Sequence, residues 1–307
     1  MKEEVTVQAP GSVSNLGSGF DVLGFALGAP YDVLTLRRTD TPGVRLINDS
    51  PFDLPGDPEK NVSGVVLLAA LQRAGAAHGF ELRVEKRIKP GSGIGSSAAS
   101  AAGAAVAANE LLGNIFSKED LLDLAMEGEA LASGSRHADN VAPCIYGGVT
   151  LVRSLDPVDI IALPPADLFV TIVHPQIEVS TAYARSILPK ELPMRSAVRQ
   201  WGNLGALVAG FYRNDPELIG RSMEDVVAEP YRKALIPGFE AVRTASRQAG
   251  ALGGGISGSG PSLFQFSRTE ATAEAIAAAM RDVYTGLGIE HRTYVTTIDP
   301  RGVRVMC

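Results

Sequence analysis

Apolar and polar residues alternate at residues 5–7, 31–36, 44–47 and 80–84, a period of two that predicts strands with one buried face. Residues 61–77 carry apolar side chains on most faces of a helical repeat and predict a helix. Residues 96–112 predict a second helix, about 25 Å long, whose Ala, Gly and Ser content lets it pack closely on its neighbours. Ser117, Lys118, Glu119 and Asp120 form a capping-box pattern that opens a third helix running to about residue 131. Residues 147–152 and 168–173 read as strands, and residues 181–188, 194–212, 216–227 and 238–249 as helices. The chain then finishes as strand, glycine loop, strand, helix 270–287 and strand. The stretch 156–165 contains Pro157, Pro164 and Pro165 and separates two groups of elements. The reading is an α+β protein of two domains, residues 1–156 and 157–307.

Composition narrows the classes. A length of 307 residues suits two domains, and 45% hydrophobic with 20% charged residues is globular rather than disordered. The 28 basic and 34 acidic residues give a net charge of −6 with no basic tract, which argues against a nucleic-acid partner. No run reaches the roughly 18 apolar residues of a membrane span. The first ten residues carry Glu3 and Glu4 and no apolar core of a signal peptide, so a cytoplasmic location is expected. Cys144 and Cys307 lie far apart in no metal-binding pattern, so a reducing compartment without a disulfide is expected. The four histidines, His78, His137, His174 and His291, are scattered and build no metal site.

The 33 glycines cluster at 17–24, 91–95 and 253–260. The middle cluster follows a predicted strand and opens a predicted helix. The first amides of a helix have no intrahelical partner, the macrodipole adds partial positive charge, and glycine lets phosphate oxygens approach. Ser96 and Ser97 add hydroxyls within reach of phosphate or Mg²⁺. A tight turn without a ligand would use the same residues. The sequence contains no Gly-Lys pair, no G-x-S-x-G, and Gly91, Gly93 and Gly95 do not make G-x-G-x-x-G. Glu110 stands near the distance a dinucleotide fold needs for its acidic residue, but inside a predicted helix.

Residues 90–99, Pro-Gly-Ser-Gly-Ile-Gly-Ser-Ser-Ala-Ala, closely resemble the phosphate-binding motif of the GHMP kinases, Pro-x-x-x-Gly-Leu-Gly-Ser-Ser-Ala. The family's proline position falls on Lys89, with Pro90 one residue later, and Ile94 replaces Leu; neither change removes an amide from the cradle. Residues 9–21 resemble the first motif of the family, in the Asn-Leu-Gly-x-Gly-Phe-Asp form of its homoserine kinases, and residues 253–262 the third. The resemblance spans the whole chain. It implies the two-domain GHMP kinase fold, with a ribosomal protein S5 domain 2-like N-terminal half and a ferredoxin-like C-terminal half.

It also implies an activity: ATP-dependent phosphorylation of the L-homoserine side-chain hydroxyl to O-phospho-L-homoserine, a step of threonine biosynthesis, in what is usually a homodimer. By the resemblance, ATP meets Asn61 at adenine and Lys89, Pro90, Gly91, Ser92, Gly93, Ile94, Gly95, Ser96, Ser97, Ala98 and Ala99 at the phosphates. Mg²⁺ falls to Ser97 and Glu129, whereas Glu127 reads as a helix-face charge. The substrate falls to Asn15, Asp21, His137, Thr181, Arg185, Arg232 and Gly258. An amino acid needs a carboxylate for its ammonium and arginine for its carboxylate, and Asp21, Arg185 and Arg232 can meet both needs. Asn15, His137 and Asp139 are the candidate catalytic residues, with Asp139 expected to position rather than abstract a proton. On that expectation Asp139→Asn lowers turnover moderately and leaves the pH profile nearly unchanged. Two alternatives stay open: another GHMP kinase of the mevalonate or sugar type, and a GHMP-fold sensor without turnover.

Overall fold

The computed structural model describes residues 2–306; Met1 and Cys307 lie outside the described residues, so the expectation for Cys307 is not addressed, while Cys144 is a free, buried thiol. The first half runs β1 (Glu4–Ser14), β2 (Leu23–Thr39), β3 (Gly43–Asn48), α1 (Val62–Ala74), β4 (Gly79–Glu85), α2 (Ser96–Leu111), α3 (Lys118–Ser133), α4 (Val141–Tyr146), β5 (Val149–Leu155) and β6 (Val158–Leu163). There follow β7 (Phe169–Pro175), α5 (Thr181–Ser186), α6 (Met194–Tyr212), α7 (Pro216–Arg221), α8 (Glu229–Arg232), α9 (Phe239–Gln248), β8 (Gly253–Ile256), β9 (Leu263–Ser267), α10 (Glu270–Gly286), β10 (His291–Thr297) and β11 (Arg304–Val305).

The strands make two sheets. The larger has the path β11-β1-β2-β4-β3, with β5 paired to β2 and β6 to β5; the smaller has the order β10-β7-β9-β8. Helix α2 covers β1 and β2, with α1 and α3 packed on it, and α10 covers β7, β9 and β10. Alanines at 98, 99, 101, 102, 104, 105, 107 and 108 are all fully buried, which is the close packing that their small side chains predict. The sheets share one core, in which Phe25 of β2 meets Phe264 and Phe266 of β9 at ring separations of 5.8 and 5.3 Å.

Several elements depart from the sequence reading. Strand β1 runs on through Ala9–Ser14 and β2 begins at Leu23, so the motif of residues 9–21 opens as sheet, and of the first glycine cluster only Leu23 and Gly24 are strand. The third cluster likewise begins as strand β8. The stretch 156–165, read as a linker, contains β6, which folds back on β5 in a hairpin turning at Asp156 and Pro157. The passage from one sheet to the other comes after Leu163, and β11 returns the chain to β1. Helix α4 is too short and too apolar to show a helical period, and Val141–Ile145 is wholly buried. The helix expected over 216–227 stops at Arg221, because the Asp225 carboxylate accepts the amides of Val227, Ala228 and Glu229 and begins a new turn.

Candidate active site

A cleft of about 480 Å³ lies between the two sheets. Its floor is the loop from β4 to α2. Gly91, Gly93 and Gly95 all have positive φ, at 73°, 80° and 69°. A side chain at Gly95 would place its Cβ 2.0 Å from Ser12 Oγ, so glycine is required there for space as well as for dihedral. No side chain caps the N-terminus of α2, whose first turn faces the cleft at Ser96 and Ser97. Around a Cβ built on Gly91 there is open space, so a ligand oxygen can reach that backbone.

The sequence-derived loop residues divide by orientation. Pro90, Gly91, Gly93, Gly95, Ser96 and Ser97 line the cleft. Ser92, Ile94, Ala98 and Ala99 are buried in the body of the fold and do not line it. Lys89 donates to Gln176 Oε1 at 3.0 Å and does not line the cleft either. The Ser96 hydroxyl donates to the Ile88 carbonyl at 2.9 Å, which uses the group expected to reach phosphate. Beneath the loop, the Lys86 ammonium donates to Asp32 Oδ2 at 2.5 Å, Ser100 Oγ at 2.8 Å and the Ser96 carbonyl at 2.9 Å. Asp32 Oδ1 accepts the amides of Arg87 and Ile88. This buried ion pair is fully hydrogen-bonded, the condition under which such a pair is tolerated.

At one end of the cleft stand Leu54, Pro55 and Val62 with Asn61. Asn61 caps α1, its Oδ1 accepting the amides of Ser63 and Gly64, and its Nδ2 donates to the Pro55 carbonyl. A second Nδ2 proton remains for a ligand.

At the other end the loop 15–22 carries Asn15 and Asp21, both at positive φ. The Asn15 amide donates to the Gly258 carbonyl at 2.9 Å and accepts the Asp21 amide at 3.1 Å, so it ties the first glycine cluster to the third. Arg185 of α5 forks onto Asp21, with Nη1 to Oδ2 at 3.0 Å and Nη2 to Oδ1 at 2.8 Å. Arg232 of α8 donates to the carbonyls of Gly258 and Ala184 and lies over the Phe20 ring. Its burial lowers its pKa from the ordinary arginine value. Thr181 completes this wall, its hydroxyl 3.2 Å from that of Ser259.

The turn before α4 supplies the remaining groups. Asp139 is buried, and desolvation, then the Asp21 charge, push its pKa up to about 6; the Ser14 hydroxyl bonded to it acts the other way. Ser14 accepts from Asn140 Nδ2 at 3.0 Å, and Asn140 Oδ1 accepts from Ser12 Oγ at 2.9 Å. A chain of dipoles thus holds Asp139 in place. On α3, burial raises Glu129 to about 7 despite the hydrogen bond from Ser97. The His137 pKa is lowered by desolvation, then by Arg185, with Asp21 acting the other way. Glu127 pairs with Arg73 on the helix surface, as expected.

Asp32 and Lys86 escaped the sequence reading, and Ser14, Phe20 and Asn140 stood inside its motifs without a role. Of the two missed outright, Asp32 carried a signal: it shares the buried face of β2 with Leu34 and Leu36, where a lone carboxylate needs a partner.

An electropositive helix end and a pocket with paired charges, open to each other, suit a group passed from a polyanion to a small polar acceptor. That is the work of an ATP-dependent small-molecule kinase. Models of the GHMP kinases N terminal domain and the GHMP kinases C terminal region match residues 61–148 and 207–286. The chain is 48% identical to the homoserine kinase of Chloroherpeton thalassium, covering 99% of this chain and 100% of that one. It is 42% identical to the homoserine kinase of Methanocella arvoryzae over 99% of this chain and 98% of the relative. The crystal structure of homoserine kinase from Cytophaga hutchinsonii superposes with a TM-score of 0.96 at 49% identity, covering 100% and 98% of the two chains. The chain belongs to the homoserine kinases of the GHMP kinase family. The L. major mevalonate kinase, at 17% identity and a TM-score of 0.77 over 98% of both chains, shares the fold.

Proposed function

We propose that this cleft transfers the γ-phosphoryl group of ATP to the side-chain hydroxyl of L-homoserine. The observation that carries this reading is that the open glycine loop at α2 and the Asp21, Arg185 and Arg232 cluster line one cavity. In it, the amides of residues 91–97 hold the β- and γ-phosphates, and adenine lies towards Asn61, Leu54 and Val62. The side chains of Ser92, Ile94, Ala98 and Ala99 serve the loop's packing rather than the ligand.

Mg²⁺ fits the remaining groups. It binds through one or two carboxylates together with phosphate oxygens and water. The Ser97 hydroxyl and the Glu129 carboxylate face the cleft beside the anion loop. Glu129 is held near neutrality by burial, and a cation would return it to its ionised form. When bound, the ion supplies charge neutralisation on the transferring group.

The acceptor's two charges replace the internal Asp21–Arg185 pair. Its ammonium takes Asp21, and its carboxylate takes Arg185 and Arg232, with Thr181, Gly258 and Asn15 bounding the pocket. His137 and Asp139 lie at the junction and orient the hydroxyl. Catalysis in this reading is positioning and charge stabilisation, with no dedicated base. A homodimer is the assembly that goes with it.

An ADP-release assay with L-homoserine, with and without Mg²⁺, tests the reading. ADP should form only with homoserine and the ion together. Homoserine-independent ATP hydrolysis at the same rate would contradict it.

A further inference from the structure

We infer that the exposed face of α6 is the surface on which two copies of this chain pair, antiparallel about a two-fold axis level with Asn203. This rests on the homodimer reading above and adds where the copies meet. Helix α6 buries Gln200, Leu207, Gly210 and Phe211 against its own chain. Its opposite face carries Met194, Val198 and Trp201, 70%, 55% and 61% exposed, and Tyr212, 58% exposed. With Gly205 and the half-buried Val208 these residues recur at spacings of three and four and form one stripe.

Two features of the stripe point to a second copy rather than to water. The first is its glycines. A mid-helix glycine costs roughly 0.5–1 kcal/mol relative to alanine. A Cβ added at Gly202 or Gly205 would meet nothing within 4 Å, so nothing inside the chain requires them. An approaching helix does, because glycine leaves room for a large side chain. The second feature is symmetry. About residue 203, Trp201 stands level with Gly205, Val198 with Val208, and Met194 with Tyr212. Each large residue thus meets a gap or a matching apolar residue when the helix is paired with an antiparallel copy of itself.

Charge agrees with this register. Glu191, just before α6, and Arg213, just after it, are exposed and in no ion pair among the described residues. Antiparallel pairing brings Glu191 of each copy towards Arg213 of the other, twice by symmetry. The exposed parts of the four large apolar residues come to about 400 Å² per copy, given ~150–250 Å² for an aromatic side chain. That apolar stripe alone is about half of the ~800 Å² per partner of a standard interface.

Trp201 is the one tryptophan of the sequence, so its emission reports the interface directly. Sedimentation of the full chain at micromolar concentration should give twice the 32.2 kDa of one chain. Gly205→Glu, which improves helix propensity, should sediment as a single chain with red-shifted emission and an undiminished melting temperature. Glu191→Arg and Arg213→Glu should each weaken dimerisation about tenfold, and the double exchange should restore it. A wild type of single-chain mass would overturn the homodimer reading and this surface together. A dimer that persists in Gly205→Glu with unshifted emission would overturn the surface alone. Failure of the double exchange to restore affinity would overturn the antiparallel register.

Discussion

In the proposed reading, Asp21 and Arg185 are one pair of side chains that prepares a pocket for a zwitterion. They lie at the positions where the sequence places opposite ends of the ligand, and in the structure they hold each other in a two-pronged bond. In that reading the pair holds both side chains aimed until an amino acid supplies charges of its own. Arg185→Ala should raise the KM for homoserine about a hundredfold or more and leave the KM for ATP within about twofold, measured by initial rates. Asp139 poses a different question. Its elevated pKa, about 6, places a protonation step inside the working range. A positioning carboxylate loses only part of its effect when neutral. The wild-type rate should therefore fall through a partial limb near pH 6 to a plateau, and Asp139→Asn should run at about that plateau, some tenfold down, without the limb. This amends the flatter profile expected from sequence. Complete loss of activity would instead make Asp139 the base, whose contribution is typically 10²–10⁴-fold. Stability gives an independent check. The native state holds the Asp139 proton more tightly than the ordinary value of 3.8 allows, so stability falls as pH rises from about 4 to about 6. In the ligand-free protein, Asp139→Asn should melt higher than wild type above pH 6 and alike near pH 4.

At the scale of elements, the strand–glycine loop–helix unit is where backbone geometry becomes chemistry. Gly95→Ala would force a Cβ into Ser12 and strain a left-handed residue. ATP affinity, followed by nucleotide titration, should drop more than tenfold with a lower melting temperature. Lys86→Met strands the Asp32 carboxylate in a dry site and should cost about 3–5 kcal/mol in denaturant unfolding. These supports explain what the sequence could and could not tell. The cradle was legible because its glycines and serines matched a known motif in full, and long amphipathic helices such as α6 and α10 announce themselves by period. Lys86 was not legible, since a lysine two residues after Val84 looks like a solvated strand end until Asp32 and Ser100 close around it. Side-chain orientation was equally hidden: Ser92 and Ile94 belong to the motif, yet only the three-dimensional turn reveals that they point into the core. Strand β6 was masked by the prolines on either side of it, and α4 by having a single turn and no polar face.

At the scale of the molecule, the active site exists because three glycine clusters, distant in sequence, converge where the two sheets share a core. The Ser257 and Ser262 hydroxyls donate to the Gly93 and Ser92 carbonyls, and Asn15 and Arg232 both bind the Gly258 carbonyl. The loop of residues 91–95 is thereby clamped from the second sheet, and the Asp21, Arg185 and Arg232 cluster is set at a fixed distance from it. No helix among the described residues is long and apolar enough to cross a membrane. That shared cavity must choose its acceptor by charge. The most direct measurement is kcat/KM with ATP and Mg²⁺ for L-homoserine against mevalonate and galactose. Homoserine should win by at least about 10⁴-fold, since neither rival offers both an ammonium for Asp21 and a carboxylate for Arg185 and Arg232 in exchange for the pair they already make; comparable or faster turnover of mevalonate or galactose would contradict the assignment of the Asp21, Arg185 and Arg232 pocket.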